Sequence, residues 1–296
     1  MKKFDGDTVE IMAMSECPND CEHCFINYKG HINFETLEII LDRFNKIYKN
    51  VILNGTELLM NDKYIELCSK YGQDFIYTNG KLLTAEKRNV LKQNGIKRIS
   101  VSLHYGIQEH ISKSNLSEIS KVIVDAVNDG FSVRVLCTIS KENYKLVPII
   151  SEYVKSLGAS SLKFINMMKE GKASNFGNIF LGECEIIEFF DLLQIEREKN
   201  YPEKFYITRN GGFGNDNTRK NNFNCGAGKD VVVITPEHKV YPCNFLLYDE
   251  YCIGYWDETG IYIDEKFEHN PKECKALEKQ LIKTISKKWI DKLINK

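Results

Sequence analysis

Three cysteines near the start of the chain have a spacing that could bind an inorganic centre. Cys17, Cys21 and Cys24 lie within residues 14–25 and follow the pattern Cys-x3-Cys-x2-Cys. Cysteine thiolates are the usual protein ligands of iron–sulfur clusters, and three of them in one loop can bind one cubic cluster. Such a cluster would keep one of its four irons without a protein ligand, open to a small molecule.

A structural zinc site is the alternative for the same loop. It would need a fourth Cys or His nearby, usually arranged as two Cys-x2-Cys pairs. His23 is inside the loop, between Cys21 and Cys24. The spacing therefore favours a cluster over zinc.

The composition predicts a cytoplasmic globular protein. The 296 residues are 43% hydrophobic and carry a formal net charge of −1, which gives no reason to expect binding to nucleic acid or to an anionic membrane. No apolar run approaches the ~20 residues of a membrane span, and the polar N-terminus lacks the apolar core of a signal peptide. Ten cysteines in such a chain indicate metal or redox chemistry rather than disulfides.

Six strand–helix repeats are predicted between residues 8 and 199. The strands are predicted at 8–14, 51–53, 74–77, 98–103, 132–139 and 161–167, and the helices at 34–48, 62–71, 84–94, 116–128, 146–157 and 183–199. This alternation is typical of an α/β fold with parallel strands and outer helices. Ligands of such folds bind at the carboxyl ends of the strands, where the cysteine loop is expected.

The cysteine loop resembles that of the radical S-adenosylmethionine (SAM) superfamily, in which the open iron chelates SAM. The resemblance implies a partial (β/α)6 barrel and a [4Fe-4S] cluster on Cys17, Cys21 and Cys24, bound with SAM. The reduced cluster would cleave SAM to methionine and a 5′-deoxyadenosyl radical, which takes a hydrogen atom from a substrate. His23 and Phe25, next to the ligands, are assigned to cofactor binding.

The resemblance extends to the ends of the later strands. The family's Gly-Gly-Glu motif corresponds to Asn-Gly-Thr-Glu here, which keeps Gly55 and Glu57 but has Asn54 and Thr56. Backbone groups and the carboxylate of this motif would hold the amino group of SAM. A plain turn is the alternative.

Five more residues are assigned to the cofactor site by the same resemblance: Thr78, Asn79, Ser102, His104 and Arg134. His104 stands where the family commonly has an acid, so a substrate contact or an ordinary hydrogen-bonded histidine are alternatives. Arg134 would hold the SAM carboxylate if it points into the barrel, and would be a solvated charge if it points outward.

A second set of cysteines follows a predicted β-hairpin. Cys225, the hairpin and the sequence Tyr-Pro-Cys ending at Cys243 resemble the auxiliary-cluster domains called SPASM and twitch. With Cys252 and Cys274 the region has four cysteines, enough for one auxiliary iron–sulfur cluster, of the [4Fe-4S] type. Cys252 is a candidate ligand or hydrogen-atom donor, or an ordinary strand residue. A structural zinc site is the alternative for the whole set.

Three segments are predicted along the chain. Residues 1–200 form the barrel, 201–224 a linker, and 225–296 a twitch/SPASM-like domain that ends in an amphipathic helix after Cys274. Residues 169–173, Lys-Glu-Gly-Lys-Ala, are similar to a Gly-Arg-Ala turn of relatives with extra clusters.

The resemblance implies an oxidoreductase or epimerase, with maturation of a ribosomal peptide by crosslinking, oxidation or epimerisation as the favoured reaction. Dehydrogenation or epimerisation of a sugar or aminocyclitol is the alternative, and a non-catalytic zinc or iron–sulfur protein is an alternative of another class. Sulfatase maturation is disfavoured because Asn244 stands where maturases have an Asp that acts as the catalytic base.

Partners follow from the same reasoning. A flavodoxin- or ferredoxin-type protein would donate electrons. The first predicted strand begins at about residue 8, which leaves no N-terminal leader-binding domain. A peptide substrate would therefore need a separate leader-recognition protein or a leader that docks elsewhere.

Overall fold

The computed structural model describes residues 1–210, 225–269 and Cys274. Within these residues the chain alternates between strands and helices, as predicted. The strands are β1 (Lys2–Lys3), β2 (Thr8–Met12), β3 (Asn50–Asn54), β4 (Phe75–Thr78), β5 (Arg98–Ser102), β6 (Ser132–Ile139), β7 (Ser161–Asn166), β8 (Tyr206–Arg209), β9 (Val231–Ile234), β10 (Lys239–Tyr241), β11 (Gly254–Asp257) and β12 (Gly260–Ile263). The helices are α1 (Phe34–Ile47), α2 (Asp62–Lys70), α3 (Ala85–Gln93), α4 (Gln108–Ser112), α5 (Leu116–Asn128), α6 (Val147–Ser156) and α7 (Glu183–Asn200).

Parallel strands form a curled half-barrel, which confirms the predicted α/β fold class. One sheet has the order β4-β5-β6-β7-β8, and all of its pairs are parallel. In the other sheet β2 pairs in parallel with β3 on one side and with β9 on the other. Because the strands are parallel, their carboxyl ends lie at one rim of the half-barrel.

Helices cover the outer face of the strands. Helix α1 begins where the Asn33 side chain accepts a hydrogen bond from the Thr36 N–H, and it buries Leu37, Ile40, Leu41 and Phe44. On β6 the outward-facing side chains, at positions 133, 135, 137 and 139, are fully buried. None of the helices in the described part of the chain has the length and hydrophobicity that crossing a bilayer requires.

A side chain bridges the two sheets between β3 and β4. Gln73 Oε1 accepts a hydrogen bond from the Leu53 N–H at 2.9 Å, and Gln73 Nε2 donates to Leu53 O at 2.9 Å and to Phe75 O at 3.0 Å. The buried amide thus replaces the ladder hydrogen bonds that β3 and β4 do not make with each other.

The C-terminal strands extend the sheet that contains β2. Strands β9, β10, β11, β12 and β1 pair antiparallel in that order, so the predicted hairpin is β9–β10. His238, in the hairpin turn, has a left-handed φ of 59°. Its ring stacks on Trp256 with centroids 4.5 Å apart, which supports this conformation.

Two predicted segments lie partly outside the described residues. Within the predicted linker 201–224, residues 201–203 form a 3-10 turn and β8 pairs with β7, whereas 211–224 lie outside the described part. The predicted C-terminal helix after Cys274 also lies outside it.

Candidate functional site

The cysteine loop follows the carboxyl end of β2, and hydrogen bonds between its two ends close its base. Met14 pairs with His31 in an antiparallel bridge, and the Ser15 N–H donates to Gly30 O at 2.9 Å. The buried Tyr28 hydroxyl donates to Met14 O at 2.8 Å, and the Thr56 N–H donates to the same carbonyl at 3.1 Å. The loop is therefore tied at its base to the strand end and to the segment after β3.

Helix α4, which the sequence did not predict, holds the far side of the loop. The carbonyl of Ile111 accepts hydrogen bonds from the Glu22 N–H at 2.8 Å and from Nδ1 of His23 at 2.9 Å. Lys113, at the left-handed end of this helix, pairs with Glu22 at 2.8 Å and with Asp20 at 3.6 Å.

A third contact to the loop comes from the turn after β7. Gly171 has a φ of +55°, and a Cβ at this position would lie 2.4 Å from Cys24 O, so this close approach requires glycine. The Lys172 N–H donates to Cys24 O at 2.9 Å, and the Lys172 ammonium pairs with Asp20. The Gly171 N–H also donates to the Tyr248 hydroxyl. In the sequence, the similarity of residues 169–173 to a Gly-Arg-Ala turn was the signal that could have indicated this contact.

The three thiols of the loop form a donor set that fits a cationic metal centre. Cys17 is exposed, and Cys21 and Cys24 are half-buried. Burial raises the pKa of each thiol, and at Cys21 the adjacent Cys24 and Cys17 add to burial and raise its pKa to about 12. A thiol with a raised pKa becomes a thiolate ligand only beside positive charge, which the core of an iron–sulfur cluster would supply. Within the described residues, no three His, Cys, Asp or Glu side chains could together hold a single metal ion.

The segment after β3 packs against the loop through Gly55 and Thr56. A Cβ on Gly55 would lie 2.8 Å from the Met14 side chain, so the backbone approaches the loop closely. The Thr56 hydroxyl donates to Glu16 O. Asn54 instead faces the barrel interior, where its Nδ2 donates to Glu10 Oε1 at 2.7 Å.

Glu57 is hydrogen-bonded inside the protein, and its contact with the amine of SAM stays a prediction. The side chain is completely buried. Its Oε2 accepts hydrogen bonds from the Thr78 hydroxyl at 3.0 Å and the Asn79 N–H at 2.8 Å, and burial raises its pKa to about 7. The carboxylate therefore fastens the end of β3 to the end of β4.

Asn79 reaches the cysteine loop directly. Its Nδ2 donates to Cys17 Sγ at 3.4 Å, and its Oδ1 accepts from the Lys81 N–H at 2.9 Å. Thr78, by contrast, is buried and hydrogen-bonds Glu57 and the Gly80 N–H. Of these two assigned residues, only Asn79 makes a described contact with a ligand cysteine.

Buried His104 and half-buried His23 form a neutral pair. Nδ1 of His104 accepts a hydrogen bond from the Thr138 N–H at 3.1 Å, beyond the end of the β5–β6 ladder. Burial lowers the pKa of both rings, that of His104 well below its usual range, and the rings meet edge to face with centroids 4.8 Å apart. His104 is therefore hydrogen-bonded through its Nδ1, as the alternative of an ordinary hydrogen-bonded histidine expects. Ser102 is half-buried at the end of β5, opposite Leu136.

Arg134 lies on the interior face of the half-barrel but near the amino end of β6, away from the rim that carries the cysteine loop. It pairs with Ser100 and Ser161 across the sheet, and its Nε donates to Ser161 Oγ at 3.3 Å. The contact between Arg134 and the SAM carboxylate stays a prediction.

In the second set, Cys225 and Cys274 lie close enough to Cys243 to act on it electrostatically, whereas Cys252 makes other contacts. Burial raises the pKa of Cys243 to about 12, with contributions from Cys274 and Cys225. Cys252 is exposed, and its Sγ donates to Gly254 O at 3.2 Å. Its electrostatic neighbours are Tyr241 and Lys239 rather than Cys243. The role of Cys252 as a ligand or hydrogen-atom donor stays a prediction.

An aromatic contact joins the two cysteine regions. Phe25 follows Cys24, and its ring packs against that of Phe245 with centroids 5.2 Å apart. Phe25 therefore contacts the segment after Cys243, and the two regions face each other across the rim of the half-barrel.

Polar residues that sequence reasoning missed line the interior of the half-barrel. Glu10 of β2 is hydrogen-bonded by the side chains of Asn54 and Asn244, and burial raises its pKa. Lys163 of β7 is half-buried. Burial, and to a smaller extent the charge of Arg134, lower the pKa of Lys163, and the nearby Glu10 partly opposes this change. Alternation along the strands could have identified both residues as inward-facing, but not their proximity across the barrel.

No protein-family model matches the chain, but curated relatives do. The chain is 28% identical to a GTP 3′,8-cyclase of Aquifex aeolicus over 171 residues, which cover 54% of this chain and 53% of that protein. It is 24% identical to the antilisterial bacteriocin subtilosin biosynthesis protein AlbA of Bacillus subtilis over 253 residues, 77% of this chain and 52% of AlbA. The chain thus spans about half the length of these relatives.

Two solved structures share the fold at lower identity. Streptococcus suis SuiB bound to the precursor peptide SuiA has a TM-score of 0.67 and 13% identity, over 82% of this chain and 61% of SuiB. Native anSMEcpe with bound AdoMet has a TM-score of 0.64 and 18% identity, over 84% of this chain and 77% of that one. The curated relatives and the cysteine loop support a radical SAM enzyme, the solved structures share its fold, and a SPASM-like C-terminal region is consistent with these comparisons.

Proposed function

We propose that the protein binds a [4Fe-4S] cluster through Cys17, Cys21 and Cys24, with SAM at the fourth iron, and uses them to remove a hydrogen atom from a substrate. The observation that carries this proposal is the three-cysteine loop, held from three sides at the rim of the half-barrel. When bound and reduced, such a centre supplies the electron that cleaves SAM into methionine and the hydrogen-abstracting radical.

The protein's own residues would orient the cofactors and keep the site dry. Gly55 and Thr56 bring backbone close to the loop, where backbone groups can hydrogen-bond the amine of SAM. His23 and His104 are neutral because of burial, so they add no charge beside the thiolates. Phe25 and Phe245 contribute apolar surface above the loop, which excludes water from a reactive species.

We further propose one auxiliary [4Fe-4S] cluster on Cys225, Cys243 and Cys274. Support comes from the effects of Cys225 and Cys274 on the Cys243 thiol and from the twitch-like pattern around these cysteines. The proposed organisation has a barrel at 1–200, a linker at 201–224 and the auxiliary domain at 225–296. An auxiliary cluster near the rim could accept the second electron of a net oxidation or pass electrons from a flavodoxin- or ferredoxin-type donor.

The substrate we favour is a ribosomal peptide, modified by crosslinking, oxidation or epimerisation. Two comparisons support this choice: SuiB was solved with its precursor peptide, and AlbA acts in bacteriocin biosynthesis. The polar interior, with Glu10 and Lys163, suits a peptide residue with polar or charged groups. Recognition of a leader sequence by a separate protein is part of this proposal.

A small-molecule substrate is the second candidate. It is favoured by the 28% identity to a GTP 3′,8-cyclase, whose name describes a reaction on a nucleotide. Turnover of a synthetic precursor peptide would decide for the first candidate.

The cofactor proposal is tested by SAM cleavage in the absence of substrate. Protein reconstituted with iron and sulfide without oxygen, then given dithionite and SAM, should release 5′-deoxyadenosine, and Cys17→Ala should abolish the release. Cys184→Ala is the matched control because Cys184 is an exposed cysteine on α7, outside both cysteine sets. Tightly held zinc with no 5′-deoxyadenosine would overturn the proposal and favour a structural metal protein.

Iron counting tests the auxiliary cluster. A variant with Ala at Cys17, Cys21 and Cys24 should keep the iron and sulfide of one cluster, and adding Cys243→Ala should remove them. Failure of the triple variant to hold any iron, with the fold intact by circular dichroism, would exclude a second cluster.

A further inference from the structure

The side chain of Asn79 is fixed in one orientation toward the cysteine loop. The Lys81 N–H donates to Asn79 Oδ1 at 2.9 Å, which identifies the oxygen side of the amide. The amide nitrogen therefore faces Cys17 Sγ, 3.4 Å away, within range of an N–H···S hydrogen bond.

The backbone of Asn79 is fixed as well. Its N–H donates to Glu57 Oε2 at 2.8 Å, and the preceding Thr78 hydroxyl donates to the same oxygen at 3.0 Å. Glu57 has no exposed surface and also accepts from the Leu59 N–H at 3.4 Å. Both the backbone and the side chain of Asn79 are thus held by hydrogen bonds within the protein.

Cys17 therefore receives hydrogen bonds from two directions. The Asn19 N–H, within the loop, donates to its Sγ at 3.5 Å, and Asn79 donates from the end of β4. A donor to a ligand sulfur withdraws electron density from the thiolate. Reduction of the attached cluster, which adds negative charge, becomes easier, and hydrogen bonds to the sulfurs are among the known determinants of cluster potential.

We propose that Asn79, held by Glu57, is a positioning residue that directs an N–H···S hydrogen bond to Cys17 and raises the reduction potential of the SAM-binding cluster. The inference rests on the proposed function, because it requires a cluster on Cys17. It goes beyond that function in assigning the redox tuning to a residue outside the cysteine loop.

The test is an EPR-monitored redox titration of the reconstituted full-length protein. The signal of the relevant cluster is identified by its change on addition of SAM. Asn79→Ala should shift the midpoint potential to a more negative value, and Asn79→Asp, which keeps an acceptor for the Lys81 N–H but loses the donor and adds charge, should shift it further. Asn128→Ala, an exposed asparagine at the end of α5, is the matched control and should leave the potential unchanged.

The outcomes separate the two proposals. Wild-type protein without a SAM-responsive signal would refute the proposed function itself. Wild-type iron content in both Asn79 variants with an unchanged potential would overturn the assignment of Asn79 and leave the proposed function standing. If Asn79→Ala fails to bind iron, the midpoint potential of Asn79→Asp alone decides. If both variants lose iron, the role of Asn79 in setting the potential is overturned in favour of a structural role.

Discussion

Replacing Glu57 by Gln tests whether a buried carboxylate joins β3 to β4. An ordinary Glu has a pKa of about 4.3, whereas burial raises that of Glu57 to about 7. The folded protein therefore binds the proton more tightly than the unfolded chain does. The stability associated with Glu57 is fully present below about pH 4.3, where the carboxyl is protonated in both states, and is lost as the pH rises through 7.

The size of the effect follows from the gap between the two pKa values. At about 1.4 kcal/mol for each pH unit, the loss between pH 4.3 and pH 8 is about 3 kcal/mol. Gln has nearly the same shape and keeps an acceptor for Thr78 and Asn79, but it does not ionise. Relative to wild type, Glu57→Gln should gain about 3 kcal/mol in free energy of unfolding over this pH range.

Urea unfolding of the metal-free protein at closely spaced pH values measures this difference. Glu258→Gln, which changes an exposed glutamate in the turn between β11 and β12, is the control and should follow the wild-type curve. A direct check is the 13C NMR signal of the Glu57 carboxyl, which should titrate near pH 7. Parallel stability curves for wild type and Glu57→Gln would refute the reasoning.

Other substitutions should act through contacts described above. Gly171→Ala should lower the iron content of reconstituted protein, because its Cβ would collide with Cys24 O; a wild-type iron content would contradict this. Gln73→Ala should reduce the free energy of unfolding by about 2–3 kcal/mol in urea, since it leaves both backbone groups of Leu53 without their bridge, and a loss well below ~1 kcal/mol would argue against a sheet-joining role. Cys252→Ser should retain the full iron content in a colorimetric assay, because the Cys252 thiol donates to Gly254 O and only Cys225 and Cys274 of the second set act on Cys243; loss of one cluster would identify Cys252 as a ligand.

Local sequence signals predicted the elements of the fold well. The periodicity and the Gly stop predicted α5 at 116–128, and alternation of apolar residues predicted β6 at 132–139, both with the bounds that the structure has. These elements depend on nearby residues, so a single sequence contains the necessary information. The first strand was predicted two residues too long, because Met14 pairs in the loop stem rather than in the strand ladder.

Contacts between distant segments were harder to predict. The motif around Glu57 was recognised, but its partners Thr78 and Asn79 come from the next strand, and they bury the carboxylate that was expected to face a ligand. The spacing of Cys252 from Cys243 would suit a shared cluster. Its position in space, however, depends on the pairing of β10 with β11, which the local sequence does not contain. For Arg134, alternation predicts the face of the sheet but not the distance from the rim.

The position of β2 has a consequence for how the protein is made. This strand carries the cysteine loop, and its neighbours are β3, which ends at Asn54, and β9, which ends at Ile234. While the ribosome is still synthesising the chain, β2 can pair with one neighbour early and must wait for the other until most of the polypeptide has emerged. We therefore expect the strand that carries the cysteine loop to complete its pairing only after residue 234 has left the ribosome.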